Sequence, residues 1–281
     1  MKNLLLGLLF FFVVTCPYAQ ESRRGSRFVS FSIGPNFANL LDSKAPYLTR
    51  SSFFAGYDYK TSISKDIRIG LNIATGYEYF LRENLSLLFS IRYENKGINL
   101  TDAFTRQFAS LDQTTSFTVN YSYQIKVDND YLVTPILVKK YINNTGFYFQ
   151  GGLYLGLILR SQIQTSYEKK GDLVQEYSYS NINDVKNVHT SDIDFGLSGG
   201  FGYSHPLSGK TLLTIDFLLS GGLVKVDKLN NNSYLYLPTG TNSSYLQERN
   251  YYGLSSNSRN VSFNLSLGIA HRILPAAGKL K

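Results

Sequence analysis

The stretch DIRIGLNIATGYEYF, residues 66–80, decides the fold. Its odd positions, from Ile67 to Tyr79, are large and mostly apolar, whereas its even positions, from Arg68 to Glu78, are charged, polar or small. Side chains of a β-strand point alternately to its two faces, so this pattern predicts one long strand with a single apolar face. The same alternation recurs at residues 85–93, 147–159 and 261–269.

The length of these strands separates two all-β architectures. Strands of a soluble sandwich usually run about five or six residues, whereas a strand that crosses a membrane needs about 9–11 tilted residues. The faces opposite the apolar ones carry Gly, Ser and Asn, which suit the crowded inside of a narrow barrel better than a solvated surface. The pattern therefore favours a barrel whose apolar outside meets lipid.

Eight such strands are predicted, and the connections between them alternate in length. The connections after the second, fourth and sixth strands are tight, while those after the first, third, fifth and seventh are long and polar. This alternation, with both termini on the short-turn side, is typical of an eight-stranded antiparallel outer-membrane barrel with short periplasmic turns and long extracellular loops. A barrel of ten strands is the alternative if the connection around residues 168–172 adds a hairpin that spans the membrane. The predicted strands are 27–40, 66–81, 85–99, 118–142, 147–163, 190–204, 211–225 and 259–273.

The beginning of the chain predicts export. Residues 1–19 combine a short basic start, an apolar run from Leu4 to Val14 and a small, polar exit, which is the pattern of a secretory signal peptide cut after Ala19. Residues 20–281 then form the barrel domain. The chain's one cysteine, Cys16, leaves with the signal peptide, so disulfide and thiol chemistry are excluded from the mature protein.

Composition and charge exclude several other classes. With 43% hydrophobic and 17% charged residues the chain is not disordered, and no further segment approaches the 18 consecutive apolar residues of a membrane-spanning helix. The formal net charge of +8 is concentrated in the termini and short turns. We expect these cations to meet lipid headgroups at the periplasmic face, so outer-membrane lipid is the predicted partner and nucleic acid is not.

Strand parity places nine charged side chains inside the predicted barrel. An eight-stranded barrel is filled by side chains, and buried charges must be paired. The pattern therefore predicts a balanced interior charge network, which would either block the lumen with salt bridges or line a narrow ion path. The predicted members are Arg68, Glu78, Arg92, Glu94, Lys96, Arg160, Asp192, Asp194 and Asp216.

No catalytic, cofactor-binding or metal-binding residues are predicted. Of the three histidines, only His189 lies where a barrel-type hydrolase could use it, and the G-x-S-x-G motif is absent from the sequence. Aromatic residues near the short-turn ends of the strands predict an interfacial girdle: Tyr77, Tyr79, Tyr93, Tyr141, Phe147 and Tyr203.

The last long connection is rich in Tyr, Ser and Asn, the residues of adaptable recognition surfaces, although a solvated loop has the same composition. Its candidate recognition residues are Tyr234, Tyr236, Tyr245, Tyr251 and Tyr252.

Four of the strand segments also resemble a known family, the PorT-like or porin-family outer-membrane β-barrel proteins of the Bacteroidota. The segments are SIGPNF at 32–37, YLVTPILVKKY at 131–141, GGLYLG at 151–156 and DFGLSGGFGY at 194–203. The likeness runs from Arg27 to Ile273, and its motifs describe barrel strands rather than an active site. The resemblance implies an integral outer-membrane protein without catalytic residues, and some relatives are linked to protein secretion.

Three functions remain open at this point. The leading hypothesis is a non-enzymatic structural or docking barrel whose outer loops or periplasmic turns bind a protein partner, with a link to protein secretion. The alternative is a narrow passive channel for ions or small solutes. The weakest is a barrel enzyme that would need a nucleophile near His189.

Overall fold

The computed structural model describes residues 23–41, 60–109, 116–142, 145–171, 174–184, 191–226 and 258–274. The predicted signal peptide, residues 1–19, lies outside them. Each long alternating stretch of sequence forms a strand, because a β-strand is the conformation that sends alternate side chains to opposite faces. The strands are β1 (Arg27–Leu41), β2 (Lys60–Asp66), β3 (Arg68–Arg82), β4 (Leu85–Ala109), β5 (Ser116–Tyr141), β6 (Phe147–Gly171), β7 (Val174–Asp184), β8 (Ile193–Pro206), β9 (Thr211–Gly222) and β10 (Arg259–Leu274).

Eight of these strands form a closed ring. The order around the ring is β4-β3-β1-β10-β9-β8-β6-β5, and a pairing between β4 and β5 closes it. Every pairing is antiparallel, and the first and last strands pair along their whole length, from Arg27 opposite Leu274 to Leu41 opposite Arg259. The predicted eight-stranded antiparallel barrel is therefore confirmed, since a closed hydrogen-bonded ring leaves no edge strand.

The two remaining strands, β2 and β7, extend the sheet beyond the ring on one side of the barrel. β2 pairs with residues 99–105 of β4, directly beyond the β3–β4 ladder, and β7 pairs with residues 162–171 of β6, beyond the β6–β8 ladder. The barrel consequently has one side that is taller than the rest, which we call the tall side. It consists of the long strands β4, β5 and β6, with β2 placed beyond the end of β3 and β7 beyond the end of β8. The third long connection extends the wall as a hairpin, and in the part of the chain that the structure describes it adds no ninth or tenth member to the ring.

The two ends of the barrel differ in their connections. One end of the barrel carries the three short turns, together with the start of β1 at Arg27 and the end of β10 at Leu274. These turns join Arg82 to Leu85, Tyr141 to Phe147 and Pro206 to Thr211. We call this the short-turn end. The tall side projects from the opposite, long-connection end, where β4 and β5 remain paired up to Ala109 and Ser116.

The two faces of the wall carry opposite kinds of residue. Large apolar side chains such as Ile69, Phe149 and Leu267 point outward with more than half of their surface exposed, whereas Asn72 and Asn264 are fully buried inside. Glycines let neighbouring strands approach closely: a Cβ on Gly34 would lie 1.9 Å from the backbone oxygen of Leu265. In the described residues, no helix has the length and hydrophobicity needed to cross a membrane.

Candidate functional site in the barrel interior

A buried lysine between two acids occupies the middle of the barrel. Lys96 Nζ lies 3.2 Å from Glu94 Oε2 and 3.2 Å from Asp194 Oδ2, and all three side chains are about 1% exposed. Glu94 and Lys96 project from β4, whereas Asp194 projects from β8, three strands away around the ring. We call these three residues the central triad, and they join two non-adjacent strands through the lumen.

Hydrogen-bond donors and aromatic rings stabilise the central triad. Tyr154 Oη donates to Asp194 at 3.2 Å, and Asn260 Nδ2 donates to the same carboxylate at 3.0 Å. Lys96 Nζ lies 4.8 Å from the centroid of the Tyr154 ring and 5.3 Å from that of Tyr131. Because a buried charge is costly unless it is paired and solvated by protein dipoles, this arrangement holds the lysine in one place.

A second charged group lies near the short-turn end. Glu78 accepts hydrogen bonds from Ser86 Oγ at 2.5 Å and Tyr141 Oη at 2.9 Å, and it pairs with Lys139 Nζ at 3.3 Å. The residues come from β3, β4 and β5, three neighbouring strands of the ring. Although Lys139 lies near the end of its strand, the structure buries it in this group.

An aromatic layer lies in the lumen beside this group. Its rings interlock, with centroid separations of 5.4 Å between Phe80 and Tyr141 and 5.0 Å between Tyr141 and Tyr148. A smaller leucine layer, made of buried side chains from β4, β5 and β9, lies deeper in the barrel. The aromatic layer comprises Phe28, Phe80, Tyr141, Tyr148, Leu212 and Ala270, and the leucine layer comprises Leu88, Leu137 and Leu218.

Asp216 and Arg92 lie in the barrel wall beyond the aromatic layer. Asp216 accepts hydrogen bonds from Tyr148 Oη at 2.7 Å and Gln150 Nε2 at 3.0 Å. Arg92 is buried and donates from Nε to Ser90 Oγ at 3.2 Å, while its Nη1 has no hydrogen-bond partner among the described residues. The interior thus combines buried ion pairs with at least one incompletely satisfied cation.

Arg68 and Arg160 take part in a network where the wall rises into the tall side. Arg68 donates to Asn95 Oδ1 at 3.0 Å and pairs with Asp128 at 2.5 Å, and Asn95 Nδ2 also donates to Asp130. Arg160 Nε lies 2.7 Å from Asp130 Oδ2, but half of the Arg160 side chain is exposed. The prediction that Arg160 points into the lumen is wrong.

A β-bulge explains this correction. In the β5–β6 ladder Tyr131 faces Ile158 while the preceding residue, Asp130, faces Arg160, so Leu159 is an extra residue on β6. A one-residue insertion exchanges the inner and outer faces of everything beyond it. Strict period-two counting from Phe147 passes through this bulge and assigns Arg160 to the wrong face.

Two other sequence predictions need correction. Asp192 is exposed and lies just before β8 begins at Ile193, so the prediction that its side chain is inside the barrel is wrong. Tyr141 is buried in the aromatic layer and does not belong to the interfacial girdle, whereas Tyr77 and Phe147 are exposed on the outer wall.

Several residues that the sequence singled out as candidate site residues lie outside the described residues. His189 and the candidate recognition residues Tyr234, Tyr236, Tyr245, Tyr251 and Tyr252 fall in undescribed segments. Within the described ranges, no group of three or more His, Cys, Asp or Glu side chains could hold a metal ion. The described candidate site is therefore the barrel interior with its central triad and aromatic layer.

Comparison with known proteins gives one family and several solved folds. The family model of the outer membrane protein beta-barrel domain matches residues 18–228. The chain is similar to Neisserial surface protein A, with 12% identity and a TM-score of 0.29 over 88% of this chain and 97% of that one. It is also similar to the outer membrane protein OprG from Pseudomonas aeruginosa, with 12% identity and a TM-score of 0.36 over 90% of this chain and 98% of that one. No curated protein matches the sequence.

Proposed function

The chain belongs to the outer membrane protein beta-barrel domain family and is an integral protein of the outer membrane, and from this premise we propose that it is a closed, non-enzymatic barrel that docks a protein partner. In this proposal the membrane-embedded ring is an anchor. The surfaces that act are the tall side at the long-connection end and the turns at the short-turn end, which we propose face the outside and the periplasm respectively.

The observation that carries the proposal is the filled lumen. The aromatic layer lies at the short-turn end, and the central triad joins β4 to β8 further along the barrel. A hydrated ion would have to displace several packed rings and then separate Lys96 from two buried carboxylates. Both steps oppose flow, because close-packed side chains leave no continuous water path and buried ion pairs are costly to break.

Two further observations support a docking role. The tall side presents an antiparallel sheet beyond the closed ring, with β4 and β5 paired through Ala109 and Ser116. The sequence resemblance to PorT-like barrels of the Bacteroidota supports a partner connected with protein secretion. The protein partner and the link to secretion are parts of this proposal.

Planar-bilayer recording from the refolded mature protein tests the closed lumen. We expect a folded barrel, identified by its heat-modifiable migration on a gel, that gives no discrete current steps. Reproducible single-channel steps from the same preparation would refute the closed-barrel proposal. Crosslinking in cells from engineered cysteines on the tall side and on the short turns then tests docking, and no specific adduct at either end would refute it.

One observation favours the narrow passive channel as a second candidate. Several buried polar atoms in the described interior have no hydrogen-bond partner, among them Arg92 Nη1, both polar atoms of the Asn72 side chain and Asn264 Oδ1. Polar groups of this kind are usually satisfied by water, which would hydrate the middle of the barrel. The conductance measurement distinguishes an enclosed hydrated chamber, which passes no current, from a continuous path.

A further inference from the structure

Residues 23–26, which precede β1, turn across the short-turn end of the barrel. Ser26 N donates to Arg23 O at 2.9 Å, which closes a tight turn, and Gly25 adopts a φ of 74° within it. Gly25 N donates to Phe80 O at 2.9 Å, and Phe80 N donates to Ser26 O at 3.0 Å. These two bonds fasten the turn to the short-turn end of β3, so the segment is held in place by main-chain contacts.

The turn carries the Arg23 side chain into the mouth. Arg23 is 8% exposed, whereas the next residue, Arg24, is exposed. The guanidinium carbon of Arg23 lies 5.2 Å from the centroid of the Tyr141 ring and 5.6 Å from that of Phe80. Both separations fall within the distance at which a cation is attracted to an aromatic face.

Among the described residues, Arg23 is held by aromatic rings and not by an ion pair. Its Nη1 is buried and has no hydrogen-bond partner among the described residues. The nearby carboxylate of Glu78 already binds Ser86, Tyr141 and Lys139. A planar, weakly hydrated guanidinium can stack on aromatic faces in this way, whereas a lysine ammonium keeps its hydration more strongly.

We propose that Phe80 and Tyr141 form a guanidinium-binding box at the short-turn end, and that the chain's own Arg23 occupies it as a plug. The box selects the guanidinium group by its planar shape and its charge. With Arg23 seated, the plug covers the aromatic layer and shields the lumen behind it. This site is independent of whether the barrel docks a protein partner.

A cysteine behind the aromatic layer reports whether the plug is seated. Thr214 is buried and lies two residues along β9 from Leu212, a member of that layer. Because Cys16 is the only cysteine and precedes the predicted cut, Thr214→Cys gives the mature chain a single thiol. Its rate of modification by a small thiol reagent is measured on protein whose folding is checked by heat-modifiable gel migration.

The matched pair Arg23→Ala and Arg24→Ala tests the assignment in this background. Both substitutions remove one guanidinium from the same turn, but only Arg23 is seated in the box. We expect Arg23→Ala to raise the modification rate about tenfold, which corresponds to about 1.4 kcal/mol at 25 °C, and Arg24→Ala to leave it unchanged. Equal rates in the two variants would overturn the proposal.

Chemical rescue tests the ligand class. Guanidinium chloride, added below the concentration that unfolds the protein, should slow modification of the Arg23→Ala variant back towards the parent rate. Sodium chloride at the same concentration should not. If both salts act alike, or neither slows the reaction, the box does not recognise guanidinium and the proposal fails.

A measurement on the unsubstituted protein covers the case in which Arg23→Ala does not fold. Ring currents from two aromatic faces should move the Arg23 Nε–H resonance upfield from the position of a solvent-exposed arginine. A nuclear Overhauser contact from this proton to the Tyr141 ring should accompany the shift. An Arg23 resonance at the solvent-exposed position, without that contact, would overturn the plug.

Discussion

Replacing Lys96 with methionine removes the cation from the central triad while keeping an unbranched side chain of similar length. Lys96 Nζ makes two contacts of 3.2 Å to carboxylates, and all three side chains are about 1% exposed. The substitution leaves Glu94 and Asp194 as uncompensated buried charges in the lumen. Removing one member of a buried ion pair costs about 3–5 kcal/mol of the free energy of unfolding, so we expect a loss in that range.

An exposed pair from the same barrel provides the matched control. Lys170 lies beside Glu168 on the tall side, and both side chains are about half exposed. Exposed ion pairs contribute about 0–1 kcal/mol, so Lys170→Met should change the free energy of unfolding by no more than that. Neutralising the acids in the Lys96→Met background, with Glu94→Gln and Asp194→Asn, should recover most of the loss.

Urea titration of the barrel refolded in lipid vesicles measures these differences. The chain contains no Trp, so unfolding is followed by far-UV circular dichroism and by heat-modifiable gel migration. The reasoning is refuted if Lys96→Met and Lys170→Met lower the free energy of unfolding by amounts within about 1 kcal/mol of each other. It is refuted as well if the triple variant is less stable than Lys96→Met alone.

Three further predictions follow from the wall. Gly34→Ala should prevent the closure between β1 and β10, because the added Cβ would lie 1.9 Å from a backbone oxygen. The failure would be seen as loss of the heat-modifiable form on a gel. In the control Gly209→Ala the added Cβ meets nothing within 4 Å, so this variant should fold normally. Leu267→Lys puts a charge on the lipid-facing side of β10 and should lower the free energy of unfolding, measured by urea titration, by about 2–4 kcal/mol. Leu207→Lys, in a short turn, should lower it by less than about 1 kcal/mol. Equal losses in the two variants would contradict the assignment of the outer face. Replacing residues 102–123 by an Asn-Gly turn should shorten the tall side without opening the ring, because the lower β4–β5 pairs remain, and an unfolded product on the gel would show that the extension is needed for closure.

The sequence was most informative where the two faces of a strand differ in polarity. Residues 66–80 and 147–159 alternate strongly, and both form strands of the ring. The stretch YLVTPILV of β5 is apolar on both faces, because Val133 and Leu137 fill the lumen while Ile136 and Val138 face outward. Strand parity cannot be read from such a stretch, and for this reason the sequence pattern assigns the adjoining interior residue Tyr141 to the girdle.

Contacts across the ring could not be predicted from local patterns. The sequence placed Lys96 and Asp194 inside the barrel, but nothing local indicates that two residues nearly one hundred positions apart form an ion pair. The Leu159 bulge is equally invisible, because an extra residue in a strand leaves no compositional mark. Barrel closure and side-chain reach determine these features, and both depend on the whole ring.

Pairing of β1 with β10 also makes closure of the ring depend on synthesis of the chain through β10. The two strands that seal the ring are the first and last of the described strands along the chain, and they pair from Arg27–Leu274 to Leu41–Arg259. A chain truncated just before β10 retains the other strands of the ring but has an open seam with unpaired backbone groups, which lipid cannot satisfy. Stable residence in the bilayer is thus reserved for copies that include β10, and copies that lack it are left accessible to proteases.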